Sequence, residues 1–203
     1  MNMKIGPKYK IARRLGAPIF EKTQTAKYAL SLSRKEKTGP RRGRQKSEYG
    51  TALIEKQKAR LSYGLTERQF RVYVDKALSS ATPVQKLFAL LETRLDNVLY
   101  RAGLAKTRAG ARQMASHGHT LVNGKKVTIP SIHLTAGDVV SLRAGSADSP
   151  LFGEAVERMK ALTVPEWLTA DPEKKTVAVA GEPVYLPSEH LFDLGVVIEF
   201  YNR

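Results

Sequence analysis

Arg94-Leu95-Asp96-Asn97-Val98-Leu99-Tyr100-Arg101-Ala102-Gly103, Thr107-Arg108-Ala109-Gly110-Ala111-Arg112-Gln113-Met114-Ala115 and Thr120-Leu121-Val122-Asn123-Gly124-Lys125-Lys126-Val127-Thr128-Ile129 fall within the run from Arg94 to Arg143 that decides the fold. Leu95 and Val98 continue a helical stripe begun at Leu87 and Leu91, and a bend near Glu92–Thr93 is compatible with it. Gly103 suits the left-handed position that closes a helix. Thr107 then predicts the N-cap of a short helix with Ala111, Met114 and Ala115 inward, ended by Gly118. Asn123-Gly124 between two short strand-like runs predicts a two-residue hairpin turn, since both residues tolerate positive φ. Gly137-Asp138 leads into a strand at Val139-Val140-Ser141-Leu142. Two short helices on a small antiparallel sheet are therefore expected.

Toward the N-terminus, a helix is predicted over Thr51–Leu61, broken at Tyr63-Gly64. Thr66 predicts the cap of the next helix, running to about Ser79 with Phe70, Val74, Ala77 and Leu78 on one face. Arg68 and Arg71 fall on the opposite side. Pro83 suits the first turn of the helix after that. Residues 1–49 are the least patterned, and Arg41-Arg42-Gly43-Arg44-Gln45-Lys46 after Gly39-Pro40 reads as a loop or extended arm. Ile5, Ile11, Leu15, Ile19 and Phe20 give that arm something to pack. Toward the C-terminus a helix is predicted over Phe152–Leu162, strands over Thr176–Ala180 and Val184–Leu186, and a closing strand over Gly195–Tyr201. The fold class is α+β: a basic helical lobe over 1–90, a small α/β domain over 91–150, and a helix and strands over 151–203 that pack back on the helical lobe.

Charge narrows the function. The chain carries a formal net charge of +15 over 203 residues. Residues 1–60 hold 17 Lys and Arg against 4 Asp and Glu, and residues 127–203 hold 6 against 11. A surplus confined to the first two-thirds suits one polyanion-facing part of the molecule. Lipid fits less well, because no basic stretch is paired with a continuous bulky apolar face. No apolar run reaches the ~18 residues of a membrane helix, and no hydrophobic stretch follows the basic N-terminus as in a signal peptide. A soluble cytoplasmic protein is expected. With no Cys, disulfides, thiolate ligands and thiol nucleophiles are excluded.

Arg108 and Arg112, four apart, project from one helix face, with Arg101 and Lys106 near in sequence and Lys125 and Lys126 beside the hairpin turn. Such a set suits folded RNA, read through phosphates and 2′-hydroxyls. From spacing alone the two arginines equally suit ordinary solvated charges. Enzyme signatures fail: Gly118 to Lys126 has the wrong spacing for a phosphate loop, Lys126 stands where Ser or Thr is required, and there is no nucleophile elbow or zinc-hydrolase His pair. His117 and His119 read as turn or RNA-adjacent residues, and Asp96 as helix surface or a local ion pair.

Residues Thr93 to Arg108, Ala111-Arg112-Gln113, Val122-Asn123-Gly124-Lys125, Ile129-Pro130-Ser131 and Gly137-Asp138-Val139-Val140 resemble the RNA-binding domain named after small-subunit ribosomal protein S-four. Glu55-Lys56-Gln57-Lys58-Ala59-Arg60-Leu61-Ser62-Tyr63-Gly64, Glu67-Arg68-Gln69-Phe70-Arg71 and Val197-Ile198-Glu199-Phe200-Tyr201 extend the resemblance to the bacterial or organellar ribosomal protein family itself. The resemblance implies a structural protein that binds small-subunit rRNA first, nucleates its 5′ domain, contributes to accuracy of translation, and lies beside neighbouring ribosomal proteins near the path where mRNA enters. It implies RNA contact at Arg94, Arg101, Lys106, Thr107, Arg108, Arg112, Gln113, Asn123, Gly124, Lys125 and Lys126. In the helical lobe it implies contact at Lys56, Gln57, Lys58, Arg60, Tyr63, Arg68, Gln69 and Arg71. The basic arm adds Lys8, Lys10, Arg13, Arg14, Arg41, Arg42, Arg44 and Lys46 as expected contacts.

Two departures stand out. Many relatives hold zinc through N-terminal cysteines; this chain has none, and His117, His119, His133 and His190 lie elsewhere, so no metal or other cofactor is expected. Gly110 occupies the third position after the Thr107 cap, where many relatives have a polar or acidic residue, so the reciprocal capping box is absent. Two rivals share the RNA-binding domain: an RNA-modifying enzyme, for whose catalytic domain the 60 residues after Arg143 leave little room, and a stress factor on stalled ribosomal particles.

Overall fold

The computed structural model describes residues 5–36, 47–147, 149 and 152–202. In chain order its helices are α1 (Lys8–Leu15), α2 (Ala26–Glu36), α3 (Glu48–Ser62), α4 (Glu67–Leu78), α5 (Pro83–Glu92), α6 (Leu95–Arg101), α7 (Arg108–Ser116), α8 (Ala144–Ala147), α9 (Ala155–Ala161) and α10 (Leu194–Asn202). Its strands are β1 (Thr120–Val122), β2 (Lys125–Val127), β3 (Val139–Leu142), β4 (Leu168–Asp171) and β5 (Thr176–Val179). Two units emerge: one reaches to Leu87 and includes the chain from Leu186 onward, and the other runs Phe88–Tyr185.

In the first unit the described residues of the expected arm include the helices α1 and α2. Ala12, Leu15, Ala17, Ile19, Phe20 and Tyr28 are buried together, with the Tyr9 and Tyr28 rings 5.2 Å apart. The Thr66 cap holds as expected: its hydroxyl accepts the Gln69 N–H, and Gln69 Oε1 accepts the Thr66 N–H in return. Phe70, Tyr73, Val74 and Ala77 form the buried face of α4.

The predicted closing strand is the helix α10, which packs on α3. Local β-propensity in Val196-Val197-Ile198 yields to a capped helical pattern. Asp193 Oδ1 accepts the Gly195 and Val196 N–H groups, and Leu194, Val197 and Ile198 bury at i, i+3 and i+4. Val184–Leu186 forms no strand. Pro183 and Pro187 flank it without N–H groups to give a ladder, and Val184 and Leu186 stay exposed.

The helical stripe breaks at Thr93–Arg94, so in the second unit Leu91, Leu95 and Val98 are buried from two helices and not one. The sheet is antiparallel throughout, in the order β2-β1-β3-β5-β4. The hairpin turn is as expected, with Asn123 at φ 49° and Gly124 at φ 76°. Of the segments expected to pack back on the helical lobe, the one from Leu186 onward lies in the first unit, while the expected strand at Thr176 extends this sheet as β5 with the unexpected β4 beyond it: Val140 pairs opposite Val177, and Ala170 opposite Val177 on the far side. The cause is an unpaired β3 edge and an alternating β5 whose Val177 and Val179 bury beside Leu142, Trp167 and Leu168. Among the described residues no helix is long and apolar enough to cross a membrane.

Candidate nucleic-acid interface

The second unit builds its cationic surface on buried carboxylates. Asp96, in the first turn of α6, is 2% exposed, and its Oδ2 accepts from Arg94 Nη2 at 2.8 Å and from Arg112 Nε at 2.8 Å. Arg94 Nε donates to Oδ1 of the same carboxylate. The bend that frees the Asp96 N–H from α5 is itself tied down: Asp96 N donates to Pro130 O, and Leu95 N to Ile132 O. Glu92, fully buried, accepts from Arg101 Nε and Nη2, each at 2.9 Å, and from Asn97 Nδ2 at 2.9 Å. Asn97 Oδ1 in turn accepts Arg108 Nε at 2.8 Å, and the Arg108 guanidinium lies 4.3 Å from the Tyr100 ring centroid. Charge-assisted and bidentate bonds of this kind fix side-chain planes as well as distances.

The other expected contacts of this unit are placed simply. Lys106, Gln113, Gly124, Lys125 and Lys126 are exposed. Thr107 is half-buried and spends its hydroxyl on the Gly110 N–H. Asn123 braces the hairpin: its Nδ2 donates to Asp138 Oδ1 at 2.7 Å and its Oδ1 accepts the Val139 N–H. The Thr135 N–H and the Asn123 amide hold the Asp138 carboxyl below its ordinary value. Gly118, at φ 71°, admits the Lys126 stem, because a Cβ there would collide with Lys126 Cε. His119 Nδ1 lies 2.9 Å from Ser146 Oγ, and His117 is exposed after α7.

In the first unit Lys10, Arg14, Arg68 and Arg71 are exposed. Lys8 sits over the Phe20 ring, and Arg13 Nε donates to Tyr9 O. Lys58 pairs with Glu55 at 2.7 Å. Gln57 Oε1 accepts from Arg60 Nε and Nη2, and Arg60 Nη1 donates to Leu65 O. Gln69 serves the Thr66 cap. Tyr63 is buried at 2% exposure against Phe192. Lys56, with a side chain 10% exposed, bonds Glu67 Oε1 at 2.8 Å and lies 4.7 Å from the Phe200 ring centroid. Burial alone would raise Glu67, but hydrogen bonds from Lys56 and Tyr201, with the charges of Lys56 and Arg60, outweigh it and lower its pKa. Burial and the Glu67 contact push the Tyr201 hydroxyl far up. Arg41, Arg42, Arg44 and Lys46 lie outside the described residues.

Sequence reasoning did not find Glu92, Asn97, Tyr100, Asp138 or Glu67 as the groups that hold the cations and the hairpin, and it read Asp96 as helix surface or a local pair where it is buried and paired twice. The signal was there in part: Glu92 and Asn97, five apart, straddle the predicted bend. Among the described residues no three His, Asp or Glu side chains stand together as metal ligands.

Cations held in fixed planes on a small α/β frame are the arrangement that the class of nucleic-acid-binding proteins uses. Residues 93–140 match the family described as S4 domain, and residues 3–93 the family described as Ribosomal protein S4/S9 N-terminal domain. The chain is 41% identical over 207 residues to small ribosomal subunit protein uS4 of Heliobacterium modesticaldum, covering 98% of each chain. It is 41% identical over 212 residues to that of Persephonella marina and 40% over 217 residues to that of Aquifex aeolicus, covering 100% of each chain in both cases. The chain belongs to the uS4 family of small ribosomal subunit proteins, which is structural and not enzymatic, and within it this is a form without cysteine.

Proposed function

We propose that this chain is a structural constituent of the small ribosomal subunit in the cytoplasm, binding small-subunit rRNA and nucleating the folding of its 5′ domain. The observation that carries this reading is the set of arginines on α6 and α7, gripped in fixed planes while remaining partly exposed: Arg101 at 27% and Arg112 at 16% of their side chains. Fixed guanidinium planes match phosphates held at set spacings in folded RNA, where loose charges would match any polyanion. Exposed Lys106, Lys125 and Lys126 add attraction of longer range. Contacts with neighbouring ribosomal proteins, closeness to the path of incoming mRNA and a contribution to translational accuracy belong to the same reading.

Filter binding against small-subunit rRNA fragments at several salt concentrations tests it. Tight binding to 5′-domain rRNA, with affinity falling steeply in salt, is expected. Equal affinity for heparin and for the rRNA fragment would refute it. The substitutions Arg108→Ala and Arg112→Ala together are expected to weaken rRNA binding and to flatten the salt slope by about two phosphates.

A further inference from the structure

We propose that the buried carboxylates of Glu92 and Asp96 are positioning residues for RNA recognition, fixing the guanidinium planes of Arg101, Arg108 and Arg112 for the phosphates of a folded RNA. The inference rests on the RNA-binding reading and names what makes that site selective.

The groups form two chains. In one, Arg94 and Arg112 share Asp96 Oδ2. In the other, Arg101 grips both oxygens of Glu92, whose Oε2 also accepts from Asn97, and Asn97 hands the constraint on to Arg108 Nε. Asp96 and Asn97 are adjacent in α6, so one helical turn anchors both chains. Arg94 differs from the rest. Its side chain is 3% exposed, and it pairs with both oxygens of Asp96 from inside while Oδ2 also accepts from Arg112.

Three physical consequences follow. First, Arg94, Arg101 and Arg112 meet only two carboxylates and Arg108 meets a neutral amide, leaving a surplus of positive charge in a region where Glu92, Asp96 and Arg94 are sealed from water. Surplus charge is poorly screened there, and an RNA phosphate at the exposed side relieves it. Second, a long side chain loses rotamer freedom when it meets a ligand; gripped through Nε, Arg108 and Arg112 have lost it already, so binding does not bear that cost again. Third, the grip sets the plane of each guanidinium, and the plane selects the direction from which a phosphate is accepted.

The sign of one substitution separates positioning from charge. Asp96→Asn and Glu92→Gln each remove a negative charge, so counterion release alone predicts tighter rRNA binding. Positioning predicts the opposite: affinity for 5′-domain rRNA falls about tenfold, while binding to heparin does not weaken. Arg112→Lys keeps the charge and the partly exposed setting but loses the planar Nε grip, and it is expected to give the same fall. The double variant Asp96→Asn with Arg112→Lys is expected to lose little more than either alone, because both act through one contact. Thermal melts accompany each measurement. Unchanged or tighter rRNA binding by Asp96→Asn or Glu92→Gln, or additive losses in the double variant, would overturn the proposal. Should Asp96→Asn not fold, Arg112→Lys decides: unchanged selectivity for rRNA over heparin sinks the idea. A wild-type chain with no preference for rRNA over heparin would instead sink the RNA-binding reading.

Discussion

Lys56 lies in the basic stretch that resembles the rRNA-contacting part of the family, yet its ammonium points into the fold. It bonds Glu67 Oε1 at 2.8 Å and stands 4.7 Å from the Phe200 ring centroid and 5.4 Å from that of Tyr201. Lys56→Met keeps the stem and removes the charge. Glu67 is 47% exposed, so water screens the pair and its loss costs about 1 kcal/mol. The cation–ring contacts, made by a lysine only 10% exposed, add about 1 kcal/mol. A thioether recovers roughly 0.5 kcal/mol against the same rings. The net loss of ~1.5 kcal/mol corresponds to about tenfold faster amide exchange where opening is local. Hydrogen exchange resolved by element measures it: α3 and α10 are expected to lose about tenfold in protection, while the salt slope of rRNA binding stays that of the wild type. Unchanged protection, with a slope lower by the roughly 0.7–0.9 that one phosphate contributes, would show that Lys56 faces RNA and that this reasoning is wrong.

Gly118→Ala is expected to cost about 1–2 kcal/mol, since φ is 71° and the new methyl collides with the Lys126 stem; a salt slope reduced along with the melting temperature would confirm that Lys126 is displaced, and an unaltered melt would contradict it. Gly110→Ala is expected to stabilise α7 by about 0.5–1 kcal/mol, because Gly110 lies inside the helix without a positive φ and an added methyl meets only the Thr107 hydroxyl, at 3.2 Å, outside the helix's own backbone; a lower melting temperature would refute this. Acid is the third perturbation. Glu67 and Asp138 both have depressed folded-state pKa values, so their contributions are present above the unfolded values near ~4 and are lost as pH falls through the folded ones. The melting temperature is expected to hold between pH 7 and about 5 and to drop below about 4, less steeply in Glu67→Gln; parallel curves for Glu67→Gln and wild type would remove Glu67 from the account.

The parts of the fold legible in the sequence are those whose signals are local. Thr66, Thr107 and Asn123-Gly124 each specify their own backbone within four residues, and each stands where the sequence places it. Helix α10 was misread because Val196-Val197-Ile198 has the composition of a strand, while the deciding features are the Asp193 cap and the wall of α3, including Tyr49 5.4 Å from Phe200. The destination of β5 was unreadable for a related reason. Its alternation shows that one face is buried, but pairing with β3 across more than thirty residues leaves no local mark. For the site, the cations were visible as residues and invisible as roles. Arg94 and Arg112 look alike in the sequence; in the fold the Arg94 side chain is 3% exposed and Arg112 16%, and only the shared Asp96 tells which one supports the other.

This division of roles bears on how charge becomes selectivity. The 34 Lys and Arg suggest many phosphate contacts, but the fold spends some of them internally: Arg94 on Asp96, Lys56 on Glu67 and Lys58 on Glu55. What remains outward is of two kinds. Exposed lysines such as Lys106, Lys125 and Lys126 are compact, strongly hydrated charges on flexible stems, able to follow any polyanion and therefore suited to drawing RNA in. Arg101, Arg108 and Arg112 are planar and held at Nε by a carboxylate or an amide, so they accept phosphate from restricted directions. On the proposed reading, attraction and discrimination come from different residues, and acidic side chains inside a basic protein serve the second. On that reading a resemblance over Arg94–Arg112 marks two populations, residues proposed to meet RNA and residues that hold them, and burial with hydrogen-bond partners separates the two.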